Sequence, residues 1–307
     1  MSDLWQTTED GSLTLRDPET GEHFHNRAGA YTEALEHYIQ PANLIPIIQK
    51  TGQLRLLDAC FGLGYNTFVA LAHLLSFFQQ TNHPFEITVI AIDRAPENFT
   101  RCHTILTDPR LYPLKNISAP FEHNIYYQTL KSPHCFTINV AENRQIRFEC
   151  WIDDLRTTVS KLTDPVDRIF HDPFSPRTMP ELWSLDLFRE YHRLLQPRQG
   201  MLLTYSSAVA VRGGLRDAGF ALCKTPPLGR KSGGTVAFSE VCPLADLEKN
   251  FCLPLSAEEE ALLTTRSALP YRDPSLKSDA KTVLKLRQSA LRFTQRPRRH
   301  DNASPVC

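Results

Sequence analysis

The chain has 307 residues, 41% of them hydrophobic, which suffices for a sizeable core in one large α/β domain with additions or in two domains. Its 34 basic and 34 acidic residues cancel, so the overall balance argues neither for nor against a polyanionic partner. The first residues lack a basic region followed by an apolar stretch, and no window offers about 18 continuous apolar residues, so neither a secretory leader nor a membrane span is expected. A soluble, cytoplasmic protein is expected. The eight cysteines (Cys60, Cys102, Cys135, Cys150, Cys223, Cys242, Cys252 and Cys307) contain no CxxC pair, and they read as reduced small hydrophobes with no metal site.

In chain order, residues 10–25 alternate around AspProGluThrGly (17–21) and predict an N-terminal hairpin. A helix follows over 28–39, stopped by Pro41. Strand and helix patterns then alternate: strand 54–59, helix 66–80, strand 86–92, helix 96–107. The stretch 108–145 shows few clear periods and reads as an insertion. Regularity returns with strand 146–152, helix 155–162, strand 166–171, helix 181–195, strand 200–206, helix 208–218 and closing strands near 220–225 and 235–241. This order predicts a doubly wound, mostly parallel seven-stranded sheet. Residues 1–50 would pack on a core domain of 51–245, and 246–307 would form a helical extension. The extension holds TyrArgAspPro (271–274) and a basic tail, with nine Lys or Arg between Arg272 and His300 against Asp273 and Asp279. That excess fits an arm facing RNA or phosphate, and equally a solvated helix.

The most informative stretch is AspAlaCysPheGlyLeuGlyTyrAsnThr (58–67), an acid closing the first long strand and two glycines leading into a helix. Such a loop lets a ligand approach the backbone. As a dinucleotide fingerprint it is broken, because Thr67 stands where a third glycine would let helix and strand pack closely. It is more similar to the (Asp/Glu)xGxGxG loop of class I S-adenosylmethionine-dependent methyltransferases, matched by Asp58, Gly62 and Gly64, with Cys60 in place of the first glycine. The fold class expected is therefore Rossmann-like.

Further acids stand at successive strand ends. Asp93 closes the second strand, where a carboxylate can accept from both ribose hydroxyls or can cap the next helix. Asp153 and Asp154 follow the third strand, where one can accept from the adenine amino group or cap a helix. Asp172, in HisAspProPheSerPro (171–176), lies at the carboxyl end of the fourth strand beside the expected cleft. Methyl transfer to nitrogen needs a lone pair in line with the sulfonium methyl, and a carboxylate can orient the amine and receive its proton. For the second task burial must raise its pKa from the usual value of about 4.

AspGlySerLeuThrLeu (10–15), HisPheHisAsnArgAlaGlyAlaTyrThrGluAla (23–34), the glycine loop, AspProPheSerPro (172–176) leading into MetProGluLeuTrp (179–183), ThrTyrSerSerAlaValAlaValArgGlyGlyLeu (204–215) and GlyArgLysSerGly (229–233) together resemble the methyltransferase domain of the bifunctional tRNA 5-methylaminomethyl-2-thiouridine biosynthesis family, MnmC. The resemblance spans about residues 10–240. It implies methyl transfer from S-adenosyl-L-methionine to the aminomethyl nitrogen of 5-aminomethyl(-2-thio)uridine at the tRNA wobble position. The family's active-site Asp falls on Asp172, with Pro173 replacing a glycine, and its GlyAsp at the third strand falls on Asp153 and Asp154, making Asp154 the adenine-side carboxylate. With 307 residues there is no room for the flavin-dependent oxidase of two-domain members, so a stand-alone form is expected. Its partners would be tRNA and the upstream enzymes that prepare the wobble uridine.

Supporting roles are assigned by position. Glu33 can reach across the cofactor pocket or lie on a helix surface. Ser206, Ser207 and Arg212, at the rim beyond the fifth strand, can contact the substrate base or a phosphate, and Arg230 and Lys231 form a basic loop suited to phosphates. His171 and Phe174 can stack on the uracil or fill the strand end. Two other readings stay open: an aminopropyltransferase of the spermidine synthase kind, with a similar fold and strand-end Asp, and a catalytically silent RNA-binding adaptor.

Overall fold

The computed structural model describes residues 5–115, 117, 121, 132–228, 233–240 and 251–293. Its centre is a mixed sheet of strands β3 (Gln53–Ala59), β4 (Phe85–Asp93), β5 (His134–Ala141), β6 (Arg144–Ile152), β7 (Arg168–His171), β8 (Met201–Thr204), β9 (Ala221–Lys224), β10 (Thr235–Phe238) and β11 (Leu253–Pro254), after a small β1–β2 pair (Gln6–Thr7 and Leu13–Thr14). The sheet order is β11-β9-β10-β8-β7-β3-β4-β6-β5. Strands β6, β4, β3, β7 and β8 run parallel, while β10 lies antiparallel between β8 and β9. The chain runs outward from β3 through β4 to β6, then returns to β7 on the other side of β3. Their carboxyl ends therefore flank a switch point, where open α/β sheets hold ligands.

The expected α/β class holds, with more strands than the seven expected. The additions lie at the edges. Strand β5, from the expected insertion, pairs antiparallel with β6, and β11, from the expected extension, pairs with β9. The strand centres carry near-continuous apolar runs because helices cover both faces. Leu54, Leu56, Val89 and Phe170 join one buried cluster with helix Tyr65–Phe78, whereas Leu57, Ala59, Ile90 and Ile169 join another with helices Leu185–Leu194 and Val209–Asp217. Among the described residues no helix is long and apolar enough to cross a membrane.

Three local expectations are corrected. Pro41 does not stop the first helix: Ala30–Ala34 widens into a π-helical turn, Leu35–Ile39, and Gln40–Ala42 carries Pro41 before Asn43 ends it with φ 47°. A π turn accommodates a residue that lacks an N–H, and such turns favour functional positions. The hairpin expected over 10–25 is reduced to a turn at 17–21 closed by a single Arg16–His23 bridge. The helix expected over 181–195 is split at Ser184, whose hydroxyl accepts from the Leu187 N–H at 3.2 Å and starts Leu185–Leu194 afresh.

The AspGlySer segment acts as a cap supplied from a distance. Ser12 Oγ accepts from the Ala30 N–H at 2.8 Å, and Asp10 Oδ2 accepts from the Thr32 N–H at 2.9 Å and its hydroxyl at 2.7 Å. The helix so anchored carries Glu33 and leads into Tyr38.

Candidate active site

Register places the acids side by side. Ala59 aligns with His171 across β3 and β7, and the Asp172 N–H donates to the Ala59 carbonyl at 3.2 Å. Asp93 aligns with Ile152, and the Asp153 N–H donates to the Asp93 carbonyl at 3.2 Å. Asp58, Cys60, Asp93, Asp154 and Asp172 consequently share one end of the sheet. Each of these carboxylates adds to the upward push that burial exerts on the Cys60 thiol, which stays protonated.

The loop after β3 is shaped by backbone conformations with positive φ: 74° at Cys60, 55° at Gly62 and 86° at Gly64. At Gly64 a Cβ would lie 2.5 Å from Phe68 and 2.7 Å from Phe61, so packing demands glycine there. At Cys60 a side chain is carried in a left-handed conformation that costs about 1–2 kcal/mol. Cys60→Gly is therefore expected to stabilise the fold by about 1 kcal/mol after glycine's own entropy cost, measured by urea unfolding. A loss of stability would show that packing of the thiol outweighs the strain.

Asp58 is fully buried, and its Oδ2 accepts from the Thr67 hydroxyl at 2.6 Å. Thr67, the residue that breaks the dinucleotide fingerprint, thus holds the strand-end acid. Burial, with Asp172 and Asp93 nearby, pushes Asp58 well above the carboxylate range against the pull of Thr67. Its Oδ1 is buried with no protein partner. Asp93 Oδ2 accepts from the Gly62 N–H at 2.7 Å and Oδ1 from the Ala95 N–H at 2.9 Å and the Asn98 amide at 3.1 Å. It pins the loop, and burial outweighs those bonds to raise it to about 6. Asp154 caps helix Leu155–Val159 and is gripped by Arg156, with Nη2 at 2.8 Å from Oδ2 and Nε at 3.1 Å from Oδ1. Burial pushes Asp154 upward, and the Arg156 bonds more than offset it, leaving it below the usual range.

Asp172 is half-buried, and its Oδ2 accepts from the Asn66 amide at 2.8 Å. Tyr38, fully buried in the π turn, also hydrogen-bonds Asp172. The Tyr38 hydroxyl accepts from the Tyr205 N–H at 3.2 Å, and the Tyr205 hydroxyl donates to the Pro173 carbonyl at 3.0 Å. The following loop is clamped from the N-terminal segment. Glu22 accepts from the Ser175 N–H at 3.0 Å, from its hydroxyl at 2.7 Å and from the Thr178 hydroxyl, while the Phe24 and Phe174 rings meet edge to face at 5.2 Å. A Cβ on Gly62 would touch Phe24 at 3.3 Å, which brings this segment against the glycine loop.

Several sequence assignments change. Ser206 is not a rim residue: it is buried, its carbonyl accepting from the Thr235 hydroxyl at 2.6 Å. Arg212, only 3% exposed, spends its guanidinium on Thr235 Oγ1 at 2.9 Å, Glu259 Oε1 at 2.8 Å and the Gly234 carbonyl at 3.3 Å, and so ties helix Ala257–Leu263 to the sheet instead of facing a phosphate. Its position just after β8 on the helix Val209–Asp217 turns it inward. His171 fills the core against Trp183, Phe188 and Tyr191, neutral because burial lowers its pKa to about 3. Glu33 is buried, and its Oε2 accepts from the Asn26 N–H at 3.0 Å, ordering the segment that carries Phe24. Phe174 stays half-buried beside Asp172, as does Ser207 beyond β8. Arg230 and Lys231 lie outside the described residues. Of the basic tail, Lys277, Lys281, Lys285 and Arg292 are exposed, Arg272 pairs with Asp186 at 3.0 Å, and Arg287 donates to the Leu269 and Ser267 carbonyls over the Tyr271 ring. Arg296, Arg298 and Arg299 lie outside the described residues.

Asn66, Tyr38, Glu22 and Phe24 escaped the sequence reading. A polar Asn66 at the start of an otherwise apolar helix was the one local signal.

The residues fit a cofactor with net positive charge. Like-charged acids at one sheet end and a buried carboxyl oxygen without a partner favour a ligand bearing cations, and S-adenosyl-L-methionine carries a sulfonium and an ammonium against one carboxylate. Residues 118–240 match the model of an S-adenosyl-L-methionine-dependent methyltransferase family. The chain is 32% identical over 177 residues to the tRNA 5-methylaminomethyl-2-thiouridine biosynthesis bifunctional protein MnmC of Aeromonas salmonicida, a match covering 56% of this chain and 25% of that protein. It is 27% identical over 271 residues to an uncharacterized protein of Methanocaldococcus jannaschii, covering 88% of this chain and 67% of that one. The fold superposes on MNMC2 from Aquifex aeolicus with a TM-score of 0.71 at 24% identity, covering 95% of this chain and 85% of that one. The chain is an S-adenosyl-L-methionine-dependent methyltransferase related to the methyltransferase domain of MnmC.

Proposed function

We propose that the chain methylates the amino nitrogen of 5-aminomethyl(-2-thio)uridine at the wobble position of tRNA. The observation that carries this reading is Asp172: a half-buried carboxylate at the switch point, held by Asn66 and Tyr38 beside the glycine loop, with Phe174 next to it. The relationship to MnmC supports tRNA as the substrate class.

When bound, S-adenosyl-L-methionine supplies an electrophilic methyl carbon on sulfur. Asp172 accepts a hydrogen bond from the substrate amine and turns its lone pair toward that carbon. On transfer of the methyl group the amine nitrogen would gain a positive charge, which Asp172 would stabilise before receiving the surplus proton. Asn66 and Tyr38 keep the carboxylate from rotating away. Phe174 offers an apolar ring against which the uracil stacks, with Phe24 bracing it from behind. Asp58, Asp93 and Asp154 would hold the cofactor, the glycine loop giving its backbone room.

Mass spectrometry of nucleosides from tRNA bearing 5-aminomethyl(-2-thio)uridine, incubated with the protein and S-adenosyl-L-methionine, is expected to show a gain of one methyl group on that nucleoside. No methylated nucleoside, together with alkylation of putrescine by the decarboxylated cofactor, would assign the chain to aminopropyl transfer.

A further inference from the structure

The TyrArgAspPro segment (271–274), outside the methyltransferase core, reaches the cofactor side of the site through one guanidinium. Asp273 is fully buried. Its Oδ1 accepts from the Ser275 hydroxyl at 3.1 Å, the Ser278 N–H at 3.1 Å and the Lys277 N–H at 3.3 Å, so a turn closes around the carboxylate. Its Oδ2 accepts from Arg156 Nη1 at 2.7 Å, and the same nitrogen donates to the Ser278 carbonyl at 2.7 Å. The rest of the Arg156 fork grips Asp154. The turn is itself anchored: the Asp273 N–H donates to Asp186 at 2.7 Å, and Arg272 grips the same carboxylate with two bonds of 3.0 Å.

We propose that Arg156 and Asp273 are positioning residues for the cofactor, the turn at 273–278 fixing through Arg156 the direction in which Asp154 meets the adenosine. The geometry carries this in three ways. Arg156 is 8% exposed at its side chain and Asp273 is fully buried, so water has little access to the ion pair that fixes the guanidinium. A guanidinium holds two carboxylates at a fixed angle, which a lysine ammonium cannot do. Arg156 places its N–H and Nε on Asp154 Oδ1 and its Nη2 on Oδ2, three of the carboxylate's roughly four lone-pair sites, so capacity remains on Oδ2 for an incoming donor. Arg156 is thus bound to a residue 117 positions later and sets one of the acids proposed for the adenine amino group.

The inference rests on the reading of Asp154 as a cofactor residue, and a double-mutant cycle read by calorimetry with S-adenosylhomocysteine separates the two. Asp154→Asn is expected to weaken binding about ten-fold, the effect of weakening a charged hydrogen bond. Arg156→Lys is expected to weaken it about five- to ten-fold in the parent chain and less than about two-fold in the Asp154→Asn background, because its effect passes through Asp154. Asp273→Asn, which keeps the shape of the side chain, is expected to weaken binding about three-fold with the same dependence on Asp154. Melting temperatures recorded alongside distinguish loss of fold from loss of aim. Lowered melting temperature with unchanged affinity in both Arg156→Lys and Asp273→Asn, or equal losses in both backgrounds, would make the turn purely structural. Unchanged affinity in Asp154→Asn would remove Asp154 from the cofactor site and the inference with it.

Discussion

Asp172→Asn is expected to lower kcat for methyl transfer by about 10²–10⁴-fold, the contribution of a positioned group that orients the acceptor and takes its proton. The substitution preserves volume and leaves the Asn66 amide an acceptor, so the loss reports charge and not collapse. Affinity for S-adenosylhomocysteine is expected to stay within about three-fold, because the role proposed for the residue sets it against the acceptor and not the adenosine. A ten-fold loss of cofactor affinity with kcat retained would move Asp172 into the cofactor shell. Tyr38→Phe supplies a graded companion, with a smaller fall in kcat and the fold intact, since the ring remains buried against Phe170 at 5.6 Å.

Arg212→Ala is expected to destabilise the protein by about 2–4 kcal/mol while leaving affinity for tRNA unchanged at temperatures where the variant is folded. Removing the guanidinium takes a donor from the buried Thr235 hydroxyl, which keeps its bond to the Ser206 carbonyl, and from the Gly234 carbonyl, which keeps the Thr225 N–H, and it leaves Glu259 with Lys224 at 2.6 Å and the Ser256 N–H at 2.8 Å but without its buried ion-pair partner. Glu259 also gives the stability a pH dependence of known sign. Burial pushes its carboxyl up, but the bonds from Lys224, Ser256 and Arg212 bring it down to about 2. Its contribution is complete above the ordinary value of 4.5 and fades as pH falls toward 2. The variant is expected to lose part of that acid dependence, checked by thermal melts between pH 2 and 6. An unchanged melting temperature with weakened tRNA binding would return Arg212 to the substrate surface.

These two residues mark what local pattern reveals. Asp58, Asp93, Asp154 and Asp172 were readable because each closes an apolar run, and a strand's end fixes where its next side chain points. The parallel sheet was readable for the same reason. Strands β5 and β11 were not, because an edge strand needs apolar residues on one face at most, and β5 is exposed over much of its length. Arg212 misled because an arginine at a strand-to-helix turn looks the same in sequence whether it meets solvent or a carboxylate 47 residues later. Tyr38 was hidden because its path to Asp172 depends on a π turn that no apolar period announces. Phe24 was legible only as a member of a resembling segment and Glu22 lay just outside it, their partners lying some 150 residues downstream.

The clamp of Glu22 on Ser175 closes a loop of 153 residues, and the bond from Arg156 to Asp273 closes another of 117. Contacts so distant in sequence form late, after the loop-closure entropy of the intervening chain has been met. During synthesis the glycine loop and its acids through Asp172 would have left the ribosome while the first segment still lacked its anchor and Arg156 still lacked its buried partner. The strand-end acids would then face one another in a half-built cleft, with Arg156 not yet fixed by its second carboxylate. The two ends of the chain therefore close the site last, although its acids are made in the middle.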